Sequence, residues 1–360
     1  MVELYPPIEP YDQGMLEVGD GNRVYWETCG NPDGKPALAV HGGPGSGCST
    51  RMRQAFDPDR YRAVLFDQRG CGRSIPHASD PATDMGCNTT EHLLADMERL
   101  REHLGIDRWL LHGGSWGSTL ALAYAERHPQ RVSEIVIASV TATRRCEIDW
   151  VYRGVARFFP EAWERFRAAV PEADREGDLV AAYARLMDRP DLQMRTRAAN
   201  AWCAWEDAVV SLEPNGKPNL YSDRPPADLL AFVRICTHYF AHAAWLEEGA
   251  LLRDAGRLAG IPGVLIHGRL DLSAPVDTAW ELARAWPDAE LIVLDDSGHQ
   301  ASDSKRERML SALDRFARRQ HVALTVIFHR RHDHNAGADS TMDARVTRRL
   351  RGGGFVGNDK

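Results

Sequence analysis

Short, continuous apolar runs recur along the chain, each followed by a glycine-rich or polar turn and then by apolar positions at helical spacing. The runs are Ala37-Leu38-Ala39-Val40, Ala63-Val64-Leu65-Phe66, Trp109-Leu110-Leu111-His112 and Ile135-Val136-Ile137-Ala138. Unbroken apolar runs, rather than alternation, belong to strands buried on both faces, as in a parallel sheet covered by helices. Between the second and third runs Leu93, Met97, Leu100 and Leu104 keep helical spacing, and the helix after the third run stops at His128-Pro129, because proline cannot continue the ladder. The predicted class is α/β with a doubly wound, mostly parallel sheet.

From about Thr143 to Gly249 the pattern changes to Trp-, Phe- and Arg-rich helical stretches without a strand signal, and it includes the turn-rich segment from Glu213 to Pro218. Strand signals return at Val264-Leu265-Ile266-His267 and Leu291-Ile292-Val293-Leu294, followed by a closing helix over roughly 304–319. The expected organisation is therefore a core over 1–142, an inserted helical cap domain over 143–249, the rest of the core over 250–320, and a tail over 321–360. The tail is glycine-rich at Gly352-Gly353-Gly354 and carries seven Arg and Lys against four Asp. It reads as a mobile, solvated appendage, with Val322 to Phe328 a candidate extra strand and a metal role for His329, His332 and His334 the minor alternative.

Composition narrows the functions available. Hydrophobic residues make up 43% and charged residues 26%, which excludes a disordered scaffold for most of the chain. The net charge of −7 supplies no basic field for a phosphate backbone, so nucleic acid is not an expected partner. Met1 to Pro7 has neither a basic nor an apolar segment, and no later stretch approaches the run of about 18 apolar residues that spans a bilayer. Seven cysteines are scattered without a C-x-x-C spacing, so neither a disulfide framework nor a zinc site is expected and the cytoplasm is the expected location.

The chemistry concentrates at Gly113-Gly114-Ser115-Trp116-Gly117, a G-x-S-x-G pattern between an apolar strand and a helix. A sharp turn there lifts a serine hydroxyl above the sheet, and glycines two before and two after let the backbone fold so tightly. His41-Gly42-Gly43-Pro44-Gly45 follows the first run; such a turn can aim a bare backbone N–H at a developing oxyanion, with the N–H of Trp116 as the usual second donor. A serine hydroxyl needs an imidazole to take its proton and an acid to orient that imidazole. In the order Ser, Asp, His, the candidates are Asp271, just after His267-Gly268-Arg269, and His299 in Asp295-Asp296-Ser297-Gly298-His299. Asp277 is the fallback acid, Asp295 and Asp296 are the nearer competitors, and His112 and His267 read as core residues at strand ends.

Taken in order, His41-Gly42-Gly43-Pro44-Gly45, Asp67-Gln68-Arg69-Gly70-Cys71-Gly72-Arg73-Ser74, Asn88-Thr89-Thr90 and Gly113-Gly114-Ser115-Trp116-Gly117-Ser118 resemble the signature series of the proline iminopeptidases, serine peptidases of the α/β-hydrolase fold. The resemblance covers about residues 5–320. It implies Ser115 as nucleophile, His299 as general base and acid, Asp271 as orienting carboxylate, and Gly43 and Trp116 as oxyanion donors. It also implies that a cap carboxylate holds the substrate's free amino end. Trp202-Cys203-Ala204-Trp205-Glu206 matches that cap segment, with Trp202 and Trp205 as walls and Glu206 as anchor on one helix face. The chain departs from the family where Cys236 stands in place of a second glutamate, and where Ser139-Val140-Thr141 replaces an Arg followed by an aromatic residue.

The implied activity is release of N-terminal proline, or a similar small residue, from a peptide or a small amide or ester. No cofactor or metal is implied, and neither nucleic acid nor membrane is an expected partner. A carboxylesterase or lactonase of the same fold is the alternative enzyme, and a small-ligand receptor lacking catalysis is the alternative of another class.

Overall fold

Alternate residues of each apolar run enter two different cores. A computed structural model describes the backbone of residues 3–214 and 216–332, with side chains as far as 318. One sheet contains β1 (Asp12–Gly19), β2 (Asn22–Gly30), β3 (Lys35–Val40), β4 (Tyr61–Phe66), β5 (Trp109–Ser115), β6 (Val132–Val140), β7 (Gly263–Gly268) and β8 (Ala289–Leu294), in the order β1-β2-β4-β3-β5-β6-β7-β8. The pairs β1–β2 and β2–β4 are antiparallel; the others are parallel.

Leu38, Val40, Phe66, Leu111, Ile137 and Leu265 enter one core, with residues of the helices Thr90–His103, Trp116–Arg127 and Asp277–Ala285. Ala37, Ala39, Leu65, Leu110, Val136 and Ile266 enter the other, which contains Leu313 and Phe316 of the helix Asp303–His332. Each large aliphatic side chain removed from water in this way contributes about 1.5–3 kcal/mol, and doing so on both faces requires the unbroken apolar runs.

Two features differ from the sequence expectation. The β1–β2 hairpin is not among the predicted strands: Asp12, Gln13 and Glu17 are exposed and only Val18 of β1 is buried, so no apolar run marks it. The candidate strand from Val322 to Phe328 is instead helical, because the helix Asp303–His332 runs through it. A seven-residue apolar run suits either state, and extending an existing helix avoids a new nucleation step. Residues 333–360, and the side chains of His329, His332 and His334, lie outside the described part.

Between β6 and β7 the helices Arg145–Tyr152, Pro160–Ala168, Leu179–Met187, Leu192–Val209 and Pro226–Ala241 build an aromatic core of their own. The Phe166 ring stacks on Tyr183 at 4.6 Å and lies 5.5 Å from Trp205, while Trp202 lies 4.4 Å from Tyr152. Among the described residues, no single helix is long and apolar enough to cross a membrane, and no group of three or more His, Cys, Asp or Glu is placed to hold a metal ion.

The segment Asp67 to Arg73 braces the region between these layers. Arg69 donates from Nε and Nη2 to Asp96 at 2.7 and 2.8 Å, with both side chains buried. Gln68 donates its N–H to His41 Nε2 at 3.0 Å, donates its amide to the His41 carbonyl at 2.9 Å, and accepts from the Trp116 indole at 2.9 Å. The motif thus ties the His41 turn to the start of the Trp116 helix. Asp96→Ala is expected to strand a buried guanidinium and cost about 3–5 kcal/mol in denaturant unfolding; a loss below about 1 kcal/mol, the scale of an exposed pair, would show that Arg69 braces nothing.

Candidate active site

Ser115 ends β5 with φ 55° and ψ −130°, a left-handed backbone that costs a non-glycine residue about 1–3 kcal/mol. The flanking glycines make that turn possible. A Cβ on Gly117 would lie 2.3 Å from the Val40 carbonyl oxygen, and one on Gly113 would lie 2.8 Å from the Gly117 carbonyl oxygen. The Trp116 helix can therefore begin directly against β3, with the serine hydroxyl above the carboxyl ends of the strands.

His299, in the loop after β8, has Nε2 3.0 Å from Ser115 Oγ and Nδ1 2.9 Å from Asp271 Oδ2. Asp271, just beyond β7, also accepts the Ala274 N–H at 2.7 Å. An ionised carboxylate can only accept, so the proton sits on Nδ1 and Nε2 accepts the serine O–H. Burial acts to raise the Asp271 pKa, but His299, His267 and Lys305 together hold it below the usual carboxylate value. Burial acts to lower that of His299, but the Asp271 carboxylate outweighs it and the imidazole ends above its ordinary value.

The other acids near the site turn elsewhere. Asp295 pairs with Arg269 at 2.6 Å, Asp296 accepts from the Ser297 and Ser304 hydroxyls, and Asp277, the first residue of its helix, accepts the neighbouring Thr278 N–H at 3.0 Å. His267 accepts the Val140 N–H at 3.1 Å and donates to the Ala274 carbonyl at 2.7 Å, while His112 donates to the Val136 carbonyl at 2.9 Å.

A cavity of about 1020 Å³ opens over Ser115 and is lined by Gly43, Trp116 and His299 from the sheet side and by Tyr152, Glu206, Tyr221, Arg224 and Phe240 from the helical layer. The Trp116 N–H belongs to the first turn of its helix, where no intrahelical acceptor exists. Glu206 accepts from the Tyr152 hydroxyl at 2.5 Å. Burial raises its pKa, against the opposing pull of that hydrogen bond and of His299.

Trp202 and Trp205 do not line this cavity. Trp202 packs behind Tyr152, and the Trp205 indole donates to the Val151 carbonyl at 3.1 Å inside the aromatic core. The shared helix face splits because the two indoles bury far more apolar surface among the neighbouring helices than a half-polar cavity would cover. Cys236 is also withdrawn, its Sγ donating to the Pro44 carbonyl at 3.2 Å and its thiol held protonated by burial. Ser139 donates to the His299 carbonyl at 2.9 Å, and Thr141 donates to Glu147 at 3.0 Å. Tyr152, Glu213 and Lys305 are the residues that the motifs do not single out. Glu213 and Lys305 meet the His299 loop through peptide groups, which leave no motif behind.

Comparison with known proteins places the chain. The α/β-hydrolase fold family matches residues 36–305. Over 321 residues, 88% of this chain and 98% of the relative, it is 51% identical to a probable proline iminopeptidase of Streptomyces coelicolor. The chain belongs to the proline iminopeptidase family. A second relative, a proline iminopeptidase of Xylella fastidiosa, is 47% identical over 319 residues, 88% of this chain and 100% of the relative. The crystal structure of a proline iminopeptidase of Mycobacterium smegmatis superimposes with a TM-score of 0.54 at 20% identity, covering 87% of this chain and 100% of that one. At that identity the likeness speaks for the fold.

Within this proline iminopeptidase framework, Gly117→Ala drives a methyl group into the Val40 carbonyl. The expected cost is about 1–3 kcal/mol of stability, together with slower labelling of Ser115 by a fluorophosphonate probe. Wild-type labelling and an unchanged unfolding midpoint would show that the turn tolerates a side chain.

Proposed function

We propose that this chain is a prolyl aminopeptidase that releases N-terminal proline, or a similarly compact residue, from peptides through an acyl-enzyme. The observation that carries the reading is the 3.0 Å contact from Ser115 Oγ to an imidazole whose far nitrogen meets Asp271 at 2.9 Å. Ser115 attacks the carbonyl carbon of the N-terminal residue while His299 Nε2 takes the hydroxyl proton. The N–H groups of Gly43 and Trp116 receive the oxyanion. His299 then protonates the leaving amine, the C–N bond breaks, and a water deprotonated by the same nitrogen cleaves the ester and restores Ser115. Asp271 stabilises the imidazolium at each stage.

Glu206 is the anchor for the substrate's protonated amino end. A cation entering a partly dry cavity needs a compensating charge, and a carboxylate already desolvated beside Tyr152 supplies one at no further desolvation cost. In this reading residues 143–249 are the cap, and a cap wall just beyond the amine held at Glu206 would leave no room for a preceding residue and so confine cleavage to the first peptide bond. With seven free thiols among the described residues, the cytoplasm is the proposed place of action.

Ser115→Ala should lower turnover of Pro-β-naphthylamide by on the order of 10⁴-fold or more; near wild-type turnover by the pure variant would refute the assignment. The general base works only as neutral imidazole, so kcat/KM should rise with pH through the His299 pKa. Because Asp271 holds that pKa up, the midpoint of the rise should lie above the 6.5 of an ordinary imidazole, and a midpoint well below it would break the proposed pairing. Glu206→Gln should cost about 10²-fold on aminoacyl arylamides with a free amino end, the penalty for an unpaired buried cation, and little on short acyl esters. Equal losses on both would favour the esterase reading, and absence of fluorophosphonate labelling at Ser115 would favour the receptor.

A further inference from the structure

The backbone of the His299 loop is held from two sides by charged groups that take no part in the chemistry described above. On the side of the helical layer, Glu213 Oε1 accepts the His299 N–H at 2.6 Å and Glu213 Oε2 accepts the Gln300 N–H at 2.8 Å. The two residues are 86 positions apart in sequence, and Glu213 is 8% exposed. The contact is reciprocated: Gln300 Oε1 accepts the Lys217 N–H at 2.8 Å. Gly298 leaves the space the carboxylate occupies, since a Cβ there would lie 2.3 Å from Glu213 Cγ and Cδ. On the side of the sheet, Lys305 Nζ donates to the Gly298 carbonyl at 2.6 Å and to the His299 carbonyl at 3.1 Å, and Ser139 donates to the same His299 carbonyl at 2.9 Å.

A carboxylate that accepts two successive peptide N–H groups makes charge-assisted bonds, stronger than neutral ones, and fixes the orientation of the peptide as well as its position. The Cα of His299 lies between the peptide gripped by Glu213 and the carbonyl gripped by Lys305 and Ser139, so the imidazole is aimed from a backbone with little freedom left. We propose that Glu213 is a positioning residue that sets the reach of His299 toward Ser115 by holding the two successive peptide N–H groups of His299 and Gln300. The inference rests on the assignment of Ser115 and His299 in the preceding section and adds a residue to it. The charged and titratable groups facing His299 are Asp271 and His267 from the β7 end, Lys305 from the closing helix, and Glu206 and Glu213 from the helical layer; Glu213 adds to the pull of Asp271 that keeps the imidazole basic, while Lys305 opposes it.

The test compares wild type with Glu213→Gln and Glu213→Ala on Pro-β-naphthylamide. Glutamine keeps the shape and one acceptor oxygen, so about a tenfold fall in kcat is expected, and alanine about 10²-fold, the scale of a misplacement by roughly 1 Å. KM should stay within about threefold, because Glu206 and the cavity wall are untouched. The acid limb of kcat/KM should move to lower pH in Glu213→Gln, since a negative charge near the imidazole is gone, and fluorophosphonate labelling should slow in parallel. A folded Glu213→Gln variant with wild-type kcat and an unmoved acid limb overturns the proposal. A measurement on the wild type stands even if the variants do not fold: the amides of His299 and Gln300 should exchange with deuterium at least about tenfold more slowly than free peptide, and exchange at the free rate overturns the clamp. Failure of the underlying assignment reads differently, as full activity in Ser115→Ala.

Discussion

The backbone at Ser115 is held in a conformation that serine does not favour, and the surrounding structure is arranged to keep it there. Pairing of Gly113 with Ile137 and Gly114 with Ala138 on one side, and of β5 with β3 on the other, fixes the strand up to the turn. The helix that begins at Trp116 fixes it afterwards. Strain of this kind persists only where the neighbours over-determine it. The same closeness explains the second glycine-rich motif: a Cβ on Gly42 would lie 3.0 Å from the Gly114 carbonyl oxygen. The His41 turn and the serine turn thus pack backbone against backbone, which is what brings the proposed oxyanion donors to one place.

Charge balance around His299 follows from how few groups touch it. Asp271 meets the ring, Glu213 meets the N–H side of the backbone, and Lys305 meets the carbonyl side. The carboxylates that face the ring, Asp271, Glu213 and Glu206, outnumber the one lysine, so a positive charge on the imidazole is compensated here. A buried charge without compensation costs several kcal/mol, so the arrangement stabilises the protonated ring that would form during the proposed acyl transfer. This is the sense in which the surroundings suit a transition state rather than the resting site.

Much of this was legible in the sequence, for reasons tied to particular residues. Runs such as Ala63 to Phe66 reveal buried strands because both faces must be apolar, and the Ser115 motif reveals its turn because only glycine fits at 113 and 117. The β1–β2 hairpin was hidden because half of β1 faces water, and the helical state of 322–328 was hidden because an apolar run of that length carries no period. Helix spacing puts residues 202, 205 and 206 on one arc but does not say which end of the arc meets a cavity, and the indoles took the core. Glu213 and Lys305 were illegible because their partners are peptide groups, which every residue possesses.

The two departures from the family pattern acquire a common physical meaning once their contacts are known. Cys236 replaces an expected carboxylate and donates to the Pro44 carbonyl, tying the helix Pro226–Ala241 to the His41 turn. Ser139, where a cationic side chain was expected nearby, donates to the His299 carbonyl and accepts from Lys305. On the resemblance, each departure would replace a charge, and in this chain each residue instead hydrogen-bonds a loop that carries a proposed catalytic group. Removing an acid and a base together leaves neither stranded in a desolvated place. On the proposed reading, the amino end of the substrate then faces Glu206 as its principal carboxylate, so recognition depends more on how closely a compact ring fills the cavity beside Tyr152 and Phe240 than on the number of charges surrounding its nitrogen.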